Sequence, residues 1–493
     1  MHLLSKRKYT VFTVTILLLM MWGLLTFRIN ARFFSHFDGN GAWIGAAVRN
    51  YEILGSGNVG FLPVITFGPT TPESAFYYVN HPPLIVWAAA GFAEILGYSQ
   101  NSTPHEMAVR LMAIFPSILS LALFYIITRR LYNRRIALLA VSLYAFTPMI
   151  AYFGRMPNHE AMALLWLYSF IAVYLQWMRH FTWRRTFALV LFAGLAMWTA
   201  WAPAFFFVML GLVAFVYGHR KQRIGIVFIG LITLLLTLAI PLFYEWQHPG
   251  AIDDLLIAFT GRTSNRAFEA SAAGFTWLQF AQVQLGHMVT TMTFAVVLLG
   301  AAGLFSLILR KKRLADSTVL AMACAGFLYI LVFRHAAQFH DYYKIYLMPG
   351  FSIAAAIAIC KGWQLPRKGL GKYARPLIFA IVITSLAGGG YWFGLLHQSF
   401  DAPFPKALIA DLPAVTQGDD LVLFDSARPY DVVAYYTYRN IEWGASPDAA
   451  LEFAASRKDV IYVMCEDNNP LDARLSQLAS VTIAERCVLV RLS

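Results

Sequence analysis

Four short stretches of this 493-residue chain gather the side chains best suited to acid–base or anion chemistry. SHFDGNGAWIGAAVRNYEILG carries Asp38 and MAVRLMAIF carries Arg110. FGRMPNHEAMALLW carries Arg155, His159 and Glu160, and FRHAAQFHDYYKIYLMPG carries Arg334, His335, His340, Asp341, Tyr342 and Tyr343. A carboxylate such as Asp38 can take the proton of an attacking hydroxyl. Arginine and histidine can hold an anion, above all a phosphate. Each group also has a plainer reading. Asp38 in FDGNG suits a turn or a helix cap. Arg110 suits a long side chain reaching back to lipid headgroups. His81, Arg155, His159 and His340 suit structural residues of a membrane interface. Glu160 suits a first-turn glutamate favoured by the helix dipole. The pair His159-Glu160 is not a zinc motif, because no second histidine follows at the required spacing.

The elements that must position these groups are membrane helices. The chain is 59% hydrophobic and 13% charged, against about 25% charged in soluble proteins. Apolar runs of about 20 residues, enough to span a bilayer, recur along it. The expected fold is a multi-pass α-helical membrane protein of about 11 spans, near 9–27, 109–131, 135–153, 159–178, 186–200, 201–217, 223–246, 289–309, 317–334, 343–361 and 375–396. The run 187–217 is split at Trp201-Ala202-Pro203, because proline cannot continue the helical ladder. Lys6–Lys8 ahead of 9–27 reads as the flank of an uncleaved anchor.

Six basic clusters, Lys6–Lys8, Arg129–Arg135, Arg179–Arg185, Arg220–Arg223, Arg310–Arg313 and Lys361–Arg375, hold most of the 39 Lys and Arg and no acid. The net charge of +13 is therefore a positive-inside signal and not a nucleic-acid signature. With all six clusters cytoplasmic, only one crossing fits between the first two beyond the initial span. The apolar run 82–97, in YVNHPPLIVWAAAGFAEILGY, must then lie in the outer interface as a juxtamembrane helix. This places the N-terminus inside. The first outer loop 28–108 and the loop 247–288 fall outside, as does a C-terminal extracytoplasmic α/β domain, 397–493, that follows the transmembrane domain 1–396. In that domain DLVLFD and DVIYVMC read as strands, PDAALEFAASRK and PLDARLSQLAS as helices, and VTIAERCVLVRLS as a hairpin or a single strand. Cys465 and Cys487 either pair or stay as buried thiols. Asn101-Ser102-Thr103 matches a glycosylation sequon.

The order of motifs resembles the GT-C superfamily of polyprenyl-phosphate-sugar-dependent glycosyltransferases. The similar branch contains the protein O-mannosyltransferases and the bacterial aminoarabinose transferase. The shared order is an acid after the first span, an HPP helix, an arginine opening the second span, then R…HE and H-x-YY…P, over about residues 1–396. The resemblance implies an integral membrane enzyme. It would move a sugar from a polyprenyl-phosphate carrier to an acceptor hydroxyl on the outer face, with inversion. Asp38 would be the catalytic base. Arg110, His81, Arg155, His159 and His340 would bind donor phosphate or sugar. Glu160, Tyr342 and Tyr343 would serve the acceptor or the lipid groove. Arg262 and Arg266, in GRTSNRAFEA, read as solvated rather than closing over the donor. One departure is that Asp38-Gly39-Asn40 lacks the family's paired acid, which argues against a metal. No cofactor is expected, since the lipid-linked sugar is a substrate. The expected partners are that donor, an acceptor protein, lipid or glycan, and membrane lipids.

The rival reading is a polytopic lipid or solute transporter. It would call for ionisable residues near the midplane and internal repeats, and neither is seen in the sequence. A structural or assembly protein would leave Asp38 and the outer Arg and His residues without a role. The topology makes a direct prediction. A cysteine label at Ser99 should react with an impermeant reagent from outside, and protection there would mean that 82–97 crosses the membrane.

Overall fold

The computed structural model describes residues 2–97, 106–264, 274–310, 313–366, 371–398, 400, 403–425, 431–456, 459–465, 480–483 and 487–492. Arg266, the sequon at 101–103 and all of the expected helix PLDARLSQLAS except Ser480 lie outside the described residues. The chain forms two compact units. The first comprises Met1–Ile29, Val79–Ile85 and Arg110–Leu395, and the second Asn30–Tyr78, Val86–Val109 and Leu396–Ser493.

The first unit is helical. Glu106–Leu131, His159–Arg179, Arg220–Gln247, Leu314–Val332 and Gly371–Gln398 are each long and apolar enough to cross a membrane. Among the described residues these are five, or seven if each of two bent pairs is one span. Each expected span falls on a helix or a broken pair of helices, but several stop short of about 20 residues. Trp183–Met197 and Pro203–Tyr217 have 15 residues each, with the break at the anticipated proline. The expected span 135–153 bends by 64° after Arg134–Ala145, where Pro148 restarts the helix. The expected span 289–309 bends by 111° between Trp277–Met292 and Phe294–Ile308. There Thr293 takes φ 68°, which no continuous right-handed helix accommodates.

The run 82–97 becomes the helix Leu84–Ile95 of 12 residues. At 1.5 Å per residue that is about 18 Å, well short of the ~30 Å hydrocarbon core.

Helices in lipid gain little from the hydrophobic effect between one another, so close backbone approach at small residues matters. Gly303 shows this. A Cβ placed there would collide with the carbonyl oxygen of Ala354 on the helix Met348–Gln364.

In the second unit the C-terminal stretch builds a five-stranded sheet. Its strands are β1 (Leu421–Phe424), β2 (Asn440–Trp443), β3 (Val460–Cys465), β4 (Ser480–Ile483) and β5 (Cys487–Arg491), ordered β2-β1-β3-β5-β4. β2, β1 and β3 are parallel, and β5 and β4 run antiparallel beside them. VTIAERCVLVRLS thus supplies two paired strands. Cys487 is disulfide-bonded, and Cys465 faces it in register. The buried carboxylate of Asp420, ahead of β1, is paired with Arg491 at 3.0 Å.

The helix Asn40–Leu54 belongs to this unit and is buried along most of its length. Tyr435 and Tyr436, on the helix Asp431–Thr437, pack on Phe33. The Tyr436 hydroxyl donates to Glu106 at 2.6 Å.

Gly303→Val should lower the thermal midpoint in detergent, with an overpacking cost of about 1–3 kcal/mol. The control Gly230→Val, where a Cβ meets nothing within 4 Å, should leave the midpoint unchanged. Equal midpoints for the two variants would contradict the close packing at Gly303.

Candidate functional site

The site grows from the end of the first helix. The last carbonyls of a helix have no intrahelical donor and carry the negative end of its dipole. In the first unit Arg155 donates to the carbonyls of Phe27 and Arg28, the latter at 3.1 Å. Arg110 donates to the carbonyl of Ile29 at 2.7 Å. Both guanidiniums are buried, at 1% and 0% exposed. Two arginines expected at a phosphate thus hold the exit of the first helix.

The segment Asn80–Pro83 is pinned just as firmly within the same unit. The Asn80 carbonyl accepts from Trp201 at 3.1 Å and from Arg262 at 3.3 Å. The His81 carbonyl accepts from the Tyr244 hydroxyl, and Leu84 N–H donates to the Trp198 carbonyl. These contacts stack the His81 ring on that of His159, with centroids 4.1 Å apart. His159 is placed by Asn158, which caps the helix His159–Arg179 and also meets the imidazole Nδ1 at 2.6 Å. Arg262 and His340 lie within electrostatic reach of His81. Burial first, then His159, Arg262 and His340, push the His81 imidazole well below its usual range, so it is neutral at pH 7.

The turn carrying His340 is held from beneath by Lys344. This buried ammonium meets His287 Nδ1 at 3.0 Å, the Ala337 carbonyl at 2.9 Å and the His340 carbonyl at 3.3 Å. Three contacts match the three donors of an ammonium, so Lys344 positions the turn. The His340 ring lies 5.1 Å from that of Tyr342 and 5.4 Å from that of Tyr343. Glu160 is buried, with one carboxylate oxygen unpartnered among the described residues.

Beside this cluster lies a cavity of 510 Å³ walled by Trp201, Phe205, Phe259, Val332 and Phe333, with Asn80 and Arg262 as polar lining. The expectation that Arg262 is solvated is corrected here. The helix Ala251–Thr263 carries it to the cavity, where it is part-buried and bonded to Asn80. Lys344 is the group that sequence reasoning passed over, and Arg262 the one it placed in solvent. The signal for Lys344 was a lone lysine inside the aromatic run DYYKIY.

Asp38 belongs to the second unit and is 3% exposed. Its N–H donates to the Ser35 carbonyl and its carbonyl accepts from Gly41. The N-cap of the following helix is Gly39, so Asp38 is in the turn but is not the cap residue.

Residues 80–228 match the family described as dolichyl-phosphate-mannose-protein mannosyltransferase. The fold is similar to that of ArnT from Cupriavidus metallidurans bound to undecaprenyl phosphate, with TM-score 0.65, 15% identity, and 98% of each chain covered. It is also similar to the Archaeoglobus fulgidus oligosaccharyltransferase in its apo form, with TM-score 0.60, 13% identity, and 94% of this chain and 70% of that chain covered. The same archaeal enzyme, AglB, in complex with an inhibitory peptide and a dolichol-phosphate, gives TM-score 0.59 at 13% identity, again over 94% and 70% of the two chains. A comparison with curated proteins finds no match. The family model thus covers residues 80–228 of the 493, and the similar structures share the fold at 13–15% identity.

A neutral buried His81 has a measurable consequence. Below pH 6.5 the unfolded imidazole binds a proton that the folded one refuses, so stability is full above that pH and falls as pH drops. The expected slope is about 1.4 kcal/mol per pH unit from this one group. His81→Gln should flatten the loss of thermal midpoint between pH 7 and pH 5. An unchanged slope would place the His81 ring in water.

Proposed function

We propose that this protein transfers a sugar from a polyprenyl-phosphate carrier to an acceptor hydroxyl at the outer face of the membrane, with inversion. The N-terminus is cytoplasmic and the C-terminal domain extracytoplasmic. The observation that carries the reading is the largely apolar 510 Å³ cavity with Arg262 in its lining, next to the imidazoles of His81, His159 and His340. An isoprenoid chain needs an apolar wall, and its phosphate needs a fixed cation at the end of that wall. The ligands named for the similar structures, undecaprenyl phosphate and dolichol-phosphate, have this construction.

The acceptor oxygen attacks the anomeric carbon and forms the new glycosidic bond. The bond from that carbon to the phosphate oxygen breaks, and its electron pair leaves on the phosphate. Such a leaving group is already anionic, so it needs positive charge rather than a proton donor. Arg262 supplies that charge. His81, neutral in its buried setting, donates a hydrogen bond, and His159 and His340 complete the phosphate and sugar contacts. Arg110 and Arg155 serve the donor through the chain end that they hold. Asp38 takes the acceptor proton as general base. It acts alone, because its neighbours are Gly39 and Asn40 and no paired acid is present. Tyr342, Tyr343 and Glu160 shape the approach of the lipid and the acceptor. The reaction needs no cofactor.

The test is donor consumption. Purified protein in lipid is given labelled polyprenyl-phosphate sugars one at a time, with native membranes as acceptor. Release of polyprenyl phosphate is expected, and Asp38→Asn should lower the rate by at least about a hundredfold, the lower end of general-base effects, while donor binding persists. Arg262→Ala should weaken donor binding. Near-normal turnover in Asp38→Asn removes it as base, and no consumption of any donor by folded protein favours the transporter.

A further inference from the structure

The second unit holds a cavity of its own, 810 Å³ in volume and more polar than the apolar cavity of the first unit. It lies between the loop 65–78, the start of the helix Asn40–Leu54, and β2 with Asp431. We propose that it binds the carbohydrate part of the acceptor, a hydroxyl-rich glycan without negative charge. This rests on the glycosyltransferase reading above for the word acceptor, and on the cavity alone for the ligand.

The lining is suited to a sugar. Trp43 and Tyr78 stand with ring centroids 4.9 Å apart, and with Phe76 they give aromatic faces to the cavity. The C–H face of a pyranose packs on such rings while its hydroxyls seek amides and carboxylates. Asn440, Asp431 and Glu442 provide those. No lysine or arginine is among the described lining residues, so nothing there would neutralise a phosphate or an acidic sugar. Two carboxylates without a cation favour a neutral or amino-bearing ring.

The walls are built in advance, as a binding site requires. Buried Asn50 donates to the carbonyls of Val64 and Thr66 at 2.9 and 2.8 Å. Buried Arg49 donates to the carbonyls of Phe67 and Tyr435. The loop is tied to β2 in both directions, Gly68 N–H to Asn440 Oδ1 at 3.2 Å and Asn440 Nδ2 to the Pro69 carbonyl at 3.1 Å. Any Cβ at Gly68 would meet the Asn440 backbone nitrogen at 2.5 Å. Both contacts anchor the loop to the first residue of β2.

The test uses the full chain in nanodiscs, without donor, and isothermal titration with three disaccharides. These are N,N′-diacetylchitobiose (neutral), the glucosamine dimer (cationic) and a glucuronate-containing disaccharide (anionic), with a lysine-containing tetrapeptide beside them. The first two should bind and the third should not. Glu442→Gln with Asp431→Asn should weaken the cationic dimer about tenfold, close to 1.4 kcal/mol, and leave the neutral one within about twofold. Trp43→Ala should weaken both. The proposal is overturned by equal binding of the anionic disaccharide, by binding of the tetrapeptide alone, by no binding at all, or by carboxylate variants that change nothing while melting normally. If disaccharides bind but no donor is ever consumed, the transferase reading falls and the glycan site stands. If donor is consumed and no disaccharide binds, only the glycan site falls.

Discussion

Two buried guanidiniums on three carbonyls hold the end of the first helix, and the first unit is organised around that point. Burying an ion costs several kcal/mol unless its donors are met, and Arg110 and Arg155 meet theirs in part on the carbonyls of Phe27, Arg28 and Ile29. The exchange works in both directions. The carbonyls after the helix gain charged donors, and the arginines gain partners of the right sign.

The same logic recurs at Asn80–Pro83. Two successive prolines have no N–H to donate, so the stretch cannot anchor itself through its own backbone. It is anchored instead through its carbonyls, by Trp201 and Arg262 on Asn80 and by Tyr244 on His81. The stack of His81 on His159 is a product of those anchors. Arg262 reaches the cavity because it shares the Asn80 carbonyl with Trp201. A structural contact and a ligand-facing position are thus combined in one guanidinium.

In the second unit buried polar residues again organise a surface. Arg49 and Asn50 sit on a helix whose other buried positions are mostly apolar. Asn50 donates to two backbone carbonyls of a loop with little regular structure of its own, and Arg49 to one there and one on the helix Asp431–Thr437. A loop held in this way keeps its polar lining open to ligand while its backbone is satisfied.

The multi-pass helical fold was legible in the sequence. Apolar run length, basic clusters and turn-forming prolines are local properties, so the helices, the break at Pro203 and the strands of DLVLFD and DVIYVMC could be read directly. The ordered series Asp38, HPP, Arg110, His159-Glu160 and His340-x-Tyr342-Tyr343 likewise pointed to the fold that the similar structures share. The breaks at Thr293 and before Pro148, and the strand β2, were not visible, because φ 68° at a threonine and a short edge strand carry little local signal. The partners of the long polar side chains were decided only by the tertiary structure. Arg155 was expected at a phosphate and is found on the first helix 127 and 128 positions away. Arg262 was expected in water and bonds Asn80 across 182 positions. Gly68 finds Asn440 across 372. A buried donor must find an acceptor wherever the fold supplies one, and which one lies within reach depends on how distant helices and loops pack.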